Sequence, residues 1–510
     1  MTRNARSLTL VGLFLLTQMA CGGARYAMSG GARPAEAYAP AYGSVAAASP
    51  TLAEPVANTE KYTEYTVSPF VDTKQDKLST FAIDVDTASW SISRRKLREG
   101  ALPPKAAVRV EEWVNSFEYG YAGPGAKSEA PFAVHFAAAP SPFEQGHHLV
   151  RIGIKGKQVQ GAERVPVHLV YLVDTSGSMH SADKIGLAQK SLHLLTDSLH
   201  QGDTVALCTY AGSVREILAP TGAEQRAKIH AAIDQLTASG STAMASGIDL
   251  AYSLAKRTLV KGHVNRVVVL SDGDANVGAT SHEAMLKQIE QYKNEGITLS
   301  TVGFGNGNYQ DTMMEQLADK GDGNYSYIDD EKQAKKVFVE QIDGLLQVIA
   351  RDVKVQVELD PSVVEKYRLI GYDNREVADK DFKNDKVDGG EIGAGHSVTA
   401  IYDVVLKKTD VSPLSVHIRH KKPLGSAPSV ETVYAMPVSS MAKTFEASES
   451  SFRLAIAVTG FGEVLRESPF AKEWRLGTVA SIAKSASIVP GEQGELLELV
   501  DRAKALGARF

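Results

Sequence analysis

A continuous apolar run from Leu169 to Val173 stops abruptly at Asp174, and the residues that follow, Thr175-Ser-Gly-Ser178, are small and mostly hydroxylated. A short unbroken apolar run bounded by turn formers is the pattern of a strand buried on both faces, and hence of a parallel sheet covered by helices. Helical spacing follows, with Ile185, Ala188, Leu192 and Leu195 on one face. The alternation continues downstream. Strands are expected at 204–210, 267–270, 297–302 and 325–328, and helices at about 182–199, 223–236, 245–258, 281–294, 310–318 and 331–348. This order predicts a doubly wound, mostly parallel α/β unit over 164–350.

The flanks carry a different period. Phe132-Ala-Val-His-Phe and His148-Leu-Val-Arg-Ile-Gly-Ile alternate as strands do, and so do Val353-Lys-Val-Gln-Val-Glu-Leu, Tyr367-Arg-Leu-Ile-Gly-Tyr, Val398-Thr-Ala-Ile-Tyr-Asp-Val-Val-Leu and Leu414-Ser-Val-His-Ile-Arg. Strand signals on both sides of the α/β unit predict one β-sandwich, built from 60–163 and 351–440, into which that unit is inserted. A strand at 80–86 and helices at 88–98 and 106–117 precede it, and the charged interval 373–388 reads as a surface loop. From 441 to 510 the pattern turns helical: Phe452-Arg-Leu-Ala-Ile-Ala-Val, 474–483 and 496–506.

At 510 residues two or three domains are expected, and 43% hydrophobic with 23% charged residues is a globular composition. A net charge of -5 leaves no basic surplus to meet phosphates, which argues against nucleic acid as a partner. Two cysteines make no disulfide framework: Cys208 sits in an apolar strand and reads as a buried thiol, whereas Cys21 ends residues 1–21. There Arg3 and Arg6 precede an apolar stretch, Leu8 to Leu16, too short for a dependable membrane span, so the segment reads as an export signal. Ala, Gly, Pro and Ser dominate from 22 to about 59, the composition of a flexible tether.

The chemistry gathers at the end of the first α/β strand. Asp174, Ser176 and Ser178 alternate, so one turn can bring their oxygens together at the carboxyl edge of the sheet, where open α/β folds bind ligands. Thr242, in Ser239-Gly-Ser-Thr-Ala-Met, and Asp272, after the apolar run Val267 to Leu270, fall at equivalent ends of neighbouring elements. Two carboxylates with hydroxyls, and neither Cys nor His among them, suit Mg²⁺ or Mn²⁺ rather than zinc.

Asp174-Thr-Ser-Gly-Ser178, Thr242 and Asp272-Gly273 together resemble the metal-ion-dependent adhesion site (MIDAS) of von Willebrand factor type A (VWA) domains, whose fold is Rossmann-like. The wider chain resembles bacterial lipoproteins that carry this domain between an N-terminal von Willebrand factor-associated region and a C-terminal region of unknown function. Thr301-Val-Gly-Phe-Gly-Asn-Gly-Asn-Tyr309 and Met313-Met-Glu-Gln-Leu-Ala-Asp-Lys-Gly-Asp-Gly-Asn-Tyr325 are similar to that group. Residues 1–21 resemble a lipoprotein signal, which implies lipidation at Cys21 and a lipid anchor as the membrane contact. Gln18 departs from the small or aliphatic residue of that pattern, which leaves ordinary cleavage or an uncleaved anchor as alternatives. Gly22 in place of Asp favours the outer membrane of a bacterial envelope, facing periplasm or surface.

The resemblance further implies a protein ligand whose Asp or Glu carboxylate completes the ion's shell. The alternatives are a metal that only steadies the loops, with contacts made elsewhere, and, more remotely, metal-assisted hydrolysis. No enzymatic activity is expected. His-Glu-x-x-His and Gly-x-x-x-x-Gly-Lys are absent from the sequence, and the Ser-x-x-Lys matches at Ser181, Ser253 and Ser481 lack their companion motifs. His180, beside the loop, reads as a rim residue or a contact for a partner. Asp84 and Asp86 lack the Asp-x-Ser-x-Ser spacing and read as a strand end or helix cap.

Overall fold

In the computed structural model, which describes residues 59–125, 128–159, 163–241, 243–274, 279–423, 427–486 and 490–508, the strand Val167–Asp174 is buried at every one of its 8 positions. Residues 1–21, the tether up to 58, Cys21 and Thr242 lie outside the described residues. Val167–Asp174 stands in the middle of a six-stranded sheet ordered Tyr325–Ile328, Thr298–Phe304, Val264–Ser271, Val167–Asp174, Thr204–Tyr210, Val214–Gly222. All neighbours are parallel except the last, which runs antiparallel to Thr204–Tyr210. The alternation of strands and helices thus gives the expected mixed, mostly parallel sheet.

The edge strand Val214–Gly222 was not expected from sequence. Arg215, Glu216 and Pro220 interrupt its apolar character, and its pairing carries register shifts, as edge strands tolerate and central strands do not. Helices Leu187–Asp197 and Arg226–Asp234 cover one face, burying Leu192, Leu195, Ile229 and Ile233 against Leu169, Tyr171 and Val173. Met244–Arg257 and Ala279–Asn294 cover the other, where Ile248, Ala251, Met285 and Ile289 meet Val170, Leu172 and Val269. Each fully buried leucine, isoleucine, valine or methionine contributes about 1.5–3 kcal/mol. The helix expected over 182–199 starts with a wider π turn, Ala182–Gly186, before its α portion.

Two further sheets face each other. One is ordered Val71–Asp72, Val364–Ile370, Ser397–Leu406, His147–Gly156, Phe132–Pro140; the other Gly390–Gly393, Val348–Leu359, Leu414–Lys421, Val430–Ala435, with Leu78–Ala82 also paired to Val348–Leu359. Val150, Ile152 and Ile154 of the first pack with Val353, Val355, Val416 and Ile418 of the second. Each sheet draws strands from before and after the α/β unit, so that unit interrupts a sandwich. The 373–388 interval has no strand, but Val377 and Phe382 are buried within it, so it is packed down rather than free at the surface.

The C-terminal segment is helical, with Ser450–Leu465, Leu476–Ser485 and Pro490–Ala505. It shares a core with the N-terminal helices Ala88–Arg98 and Val110–Asn115, where Trp90, Trp113 and Phe117 meet Phe461, Leu496 and Leu499. Trp113 and Phe461 make an edge contact with ring centroids 5.2 Å apart. Among the described residues, no helix is long and apolar enough to cross a membrane.

Candidate functional site

The sheet order reverses between Val167–Asp174 and Val264–Ser271, and it is at the carboxyl ends of these two strands that Asp174 and Asp272 sit. Helices on opposite faces leave a crevice at such a reversal, and loops at its mouth can aim side chains at one point. Backbone bonds hold the first loop in place. Thr175 N–H donates to Tyr210 O (2.9 Å), Gly177 N–H to Gly240 O (2.9 Å), and Ser239 N–H to Thr175 O (2.7 Å). The 239–241 segment is thereby fixed against the Asp174 loop, immediately before Thr242.

Asp174 is fully buried. Its Oδ1 accepts the N–H of Ser176 (2.8 Å), and its Oδ2 accepts the hydroxyl of Ser271 (2.9 Å). The Ser176 and Ser178 hydroxyls are 2.9 Å apart and share a hydrogen bond. Among the described residues no basic side chain forms an ion pair with Asp174. Burial accordingly pushes its carboxyl up to about 6, with the charge of Asp272 adding to the rise against the hydrogen bonds from Ser176 and Ser271.

Asp272 is also fully buried, but it has company. Oδ2 accepts Lys184 Nζ (2.9 Å) and Asn308 Nδ2 (3.2 Å), while Oδ1 accepts the N–H of Asp274 (3.0 Å). Lys184 also donates to Asn308 Oδ1 (2.9 Å), and Asn308 to Asp274 Oδ2 (3.1 Å). The turn after Asp272 depends on Gly273: its φ is +74°, and a Cβ there would lie 2.9 Å from the backbone nitrogen of Gln310.

The structure therefore gathers Asp174, Ser176, Ser178 and Asp272, four of the five residues read from sequence. Three further participants were missed. Ser271 bridges the two strand ends, and Lys184 and Asn308 hold Asp272. Lys184 figured in the sequence only as the end of a chance Ser-x-x-Lys match, and Asn308 only within a family-like segment. The loop's outer side is open, for Gly177 and His180 are exposed. The donor set is hard oxygen around an uncompensated carboxylate, which fits an Mg²⁺- or Mn²⁺-class ion.

Asp84 and Asp86 do not cap the following helix and instead form ion pairs. The N-cap of Ala88–Arg98 is Thr87, and both aspartates pair with Arg375, at 3.0 and 3.4 Å, while Asp86 also accepts Tyr325 N–H (2.8 Å). Cys208 is a buried free thiol, as its strand implied. A cavity of about 610 Å³ is lined by Val264, Arg266, Thr298 and Ile349. These lie at the amino ends of the strands, so the cavity is not part of the crevice.

Three family models match the chain: "von Willebrand factor" over residues 56–151, "von Willebrand factor type A domain" over 168–340, and "Uncharacterized protein YfbK, C-terminal" over 344–506. YfbK of Escherichia coli (strain K12), described as uncharacterized, is 35% identical over 493 residues, covering 91% of this chain and 84% of that protein. Inter-alpha-trypsin inhibitor heavy chain H3 of Mesocricetus auratus is 24% identical over 273 residues, 50% of this chain and 30% of its own length. A solved structure described as von Willebrand factor type A from Catenulispora acidiphila aligns over 74% of this chain and 90% of its own, with 15% identity and a TM-score of 0.45. Domains of the type A class are typically protein-interaction modules and often bind a divalent metal ion. Matched along nearly its whole length by YfbK, and by the type A domain model across its α/β unit, the chain belongs to the YfbK family of VWA-domain proteins.

Proposed function

We propose that the α/β domain is a divalent-cation-dependent protein-binding module, tethered to the bacterial cell envelope. Asp174, Ser176, Ser178, Thr242 and Asp272 hold Mg²⁺ or Mn²⁺, and an Asp or Glu carboxylate of a protein partner completes the shell. The observation that carries this reading is Asp174 itself, a fully buried carboxylate with hydroxyls for neighbours and, among the described residues, no cation paired with it. A buried charge left unpaired costs several kcal/mol, and a dication among these oxygens removes that cost. The hydroxyls supply oxygen without further negative charge, so the ion stays electron-poor on the side of Gly177 and His180, where a partner's carboxylate can approach. In this reading the protein binds and does not catalyse.

Isothermal calorimetry with Mg²⁺ and Mn²⁺ on wild type, Asp174→Ala and Asp272→Ala tests the metal half. Loss of binding in both variants is expected, and unchanged binding in both would end the proposal. The partner half is tested by capture from envelope extracts with Mg²⁺ against chelator. Capture that survives both chelation and Asp174→Ala would shift the reading to a scaffold whose ion only stabilises the loops. Anchorage rests on the basic start, apolar core and Cys21 of residues 1–21. Mass spectrometry of the mature N-terminus should find a lipidated Cys21, and an unmodified terminus elsewhere removes the anchor.

A further inference from the structure

Helices Leu187–Asp197 and Arg226–Asp234 carry the same spaced triplet of polar residues. Gln189, His193 and Asp197 follow one another at intervals of four on the first, as do Arg226, His230 and Asp234 on the second. Residues four apart share one helix face, so each helix presents a polar stripe beside its apolar one. The stripes face each other. Gln189 Nε2 donates to the carbonyls of Ile233 (3.1 Å) and Leu236 (3.2 Å) at the end of the second helix, and Arg226 donates to those of Asp197 (3.3 Å) and Leu199 (2.6 Å) at the end of the first. These reciprocal clasps fix the helices on either side of the two histidines.

Between the clasps the partners cross over. His193 Nε2 is 3.0 Å from Asp234 Oδ1, and His230 Nε2 is 2.9 Å from Asp197 Oδ1. A carboxylate only accepts, so each Nε2 carries a proton and each neutral ring presents a bare lone pair at Nδ1. Those two Nδ1 atoms are directed at each other: the ring planes are 24° apart, the centroids are separated by 4.6 Å, and the nitrogens are in direct contact. Two facing lone pairs need an electron-pair acceptor between them, either a proton that makes one ring cationic or a metal ion. His168 and His263 show the contrast. There Nε2 of one meets Nδ1 of the other at 2.9 Å, and His168 Nδ1 faces the Thr204 hydroxyl, which can donate or accept, so an ordinary hydrogen bond suffices.

We propose that His193 and His230 form a second metal site, on the outer face of the helix pair and separate from the oxygen site, which takes a zinc-class divalent ion through the two Nδ1 atoms. Asp234 and Asp197 then play the part of the carboxylates that commonly orient metal-bound imidazoles through the opposite nitrogen. Imidazole nitrogen selects Zn²⁺, Ni²⁺ or Cu²⁺ over Mg²⁺, so the two sites do not compete for one ion. Tetrahedral binding at about 2.0–2.1 Å per Zn–N bond requires the nitrogens to stand about 3.3 Å apart, an opening that the two partly exposed rings reach by rotating their side chains. Water fills the remaining positions.

The test is calorimetric titration of Zn²⁺ into the full chain under excess Mg²⁺, for wild type, His193→Gln, His230→Gln, the double variant Asp197→Asn with Asp234→Asn, and Asp174→Ala. The expected result is one zinc equivalent in wild type and in Asp174→Ala, loss of that event in either histidine variant, and a 10–100-fold weaker event in the double aspartate variant. Because the four side chains are partly or largely exposed, circular dichroism should confirm folded variants. Electron paramagnetic resonance of the Cu²⁺-loaded protein supplies an independent readout, with hyperfine coupling from two imidazole nitrogens in wild type and at most one in His193→Gln. No zinc event in wild type, or one unchanged by both histidine substitutions, overturns the proposal.

Discussion

Glu463 and Asp174 are both carboxylates fully shielded from solvent, yet their surroundings differ in kind. Glu463 belongs to a balanced network. Its Oε2 meets Arg368 Nη2 at 2.8 Å, Arg466 contacts its other oxygen, and Arg466 also reaches Asp373 at 2.7 Å. Ser68 adds two hydrogen bonds to Asp373, each 2.8 Å. Two guanidinium groups thus meet two carboxylates, joining the helix Ser450–Leu465, the strand Val364–Ile370 and the chain near Ser68. Burial raises the Glu463 carboxyl, but the two arginines outweigh it and hold it below the usual range. Around Asp174 and Asp272, among the described residues, two carboxylates meet one ammonium, Lys184, which forms its ion pair with Asp272 and none with Asp174. Compensated charge of the first kind is architecture. Charge left over, on loops at the open edge of a sheet, is capacity for a ligand.

The comparison breaks most readily at its strong end. Glu463→Ala leaves Arg368 wholly buried without its carboxylate, and removing one partner of a buried pair costs about 3–5 kcal/mol. A large fall in the urea midpoint is expected. Asp174→Ala, measured under chelator, should stay within about 1 kcal/mol of wild type or exceed it, because the lost hydrogen bonds are offset by removal of an unpaired charge. A chelated Asp174→Ala protein as unstable as Glu463→Ala would show that the two regions are alike after all.

Metal addition should divide the regions next. At a hundredfold excess over its dissociation constant a ligand stabilises the folded state by about 2.7 kcal/mol. Mg²⁺ at that level should raise the melting temperature of wild type and of Arg466→Lys alike, and leave Asp174→Ala unmoved. Chelation should lower the melting temperature without altering the circular dichroism spectrum, since the cores on both sides of the sheet do not involve the ion. Unfolding on chelation would assign the metal a structural role instead.

What could be read from the sequence follows the same division between local and distant. Asp174, Ser176 and Ser178 fall within five residues after an unbroken apolar run, so one strand and one turn place all three. Asp272 was legible for the same reason. Ser271, Lys184 and Asn308 were not, because each acts on a carboxylate from another part of the chain, and such pairing has no period or spacing to betray it. The edge strand Val214–Gly222 is too polar to announce itself. The shared core of Trp90 and Trp113 with Phe461 unites helices from opposite ends of the chain, which helical periodicity on either segment does not encode. The sandwich was legible in outline because strand patterns flank the α/β unit, and its three missed strands, Val71–Asp72, Gly390–Gly393 and Val430–Ala435, are short or largely exposed.

Lys184 offers a finer adjustment of the balance. Its ammonium lies 2.9 Å from Asp272 Oδ2 and repels a dication held by the same carboxylate. Lys184→Met removes that repulsion, while Asn308 and the Asp274 N–H still hold Asp272 in place. Mg²⁺ affinity should rise on the order of tenfold, equivalent to about 1.4 kcal/mol. Weaker binding in the variant would mean that Lys184 serves chiefly to orient Asp272, and the ammonium would then count as part of the site rather than its competitor.

The smallest effect is expected at Ser178. Its hydroxyl is a neutral donor oxygen bonded to that of Ser176, and neither carboxylate depends on it. Ser178→Ala removes one oxygen from the shell without leaving a charge unpaired, and Mg²⁺ readily keeps water among its ligands. A water in the vacated position should limit the loss of Mg²⁺ affinity to less than about tenfold, roughly 1.4 kcal/mol, against a far larger loss in Asp174→Ala. Calorimetry on the two variants side by side gives the ratio directly. If Ser178→Ala is as damaging as Asp174→Ala, the loop's hydroxyl geometry governs the site, and the account built on uncompensated charge loses its ground.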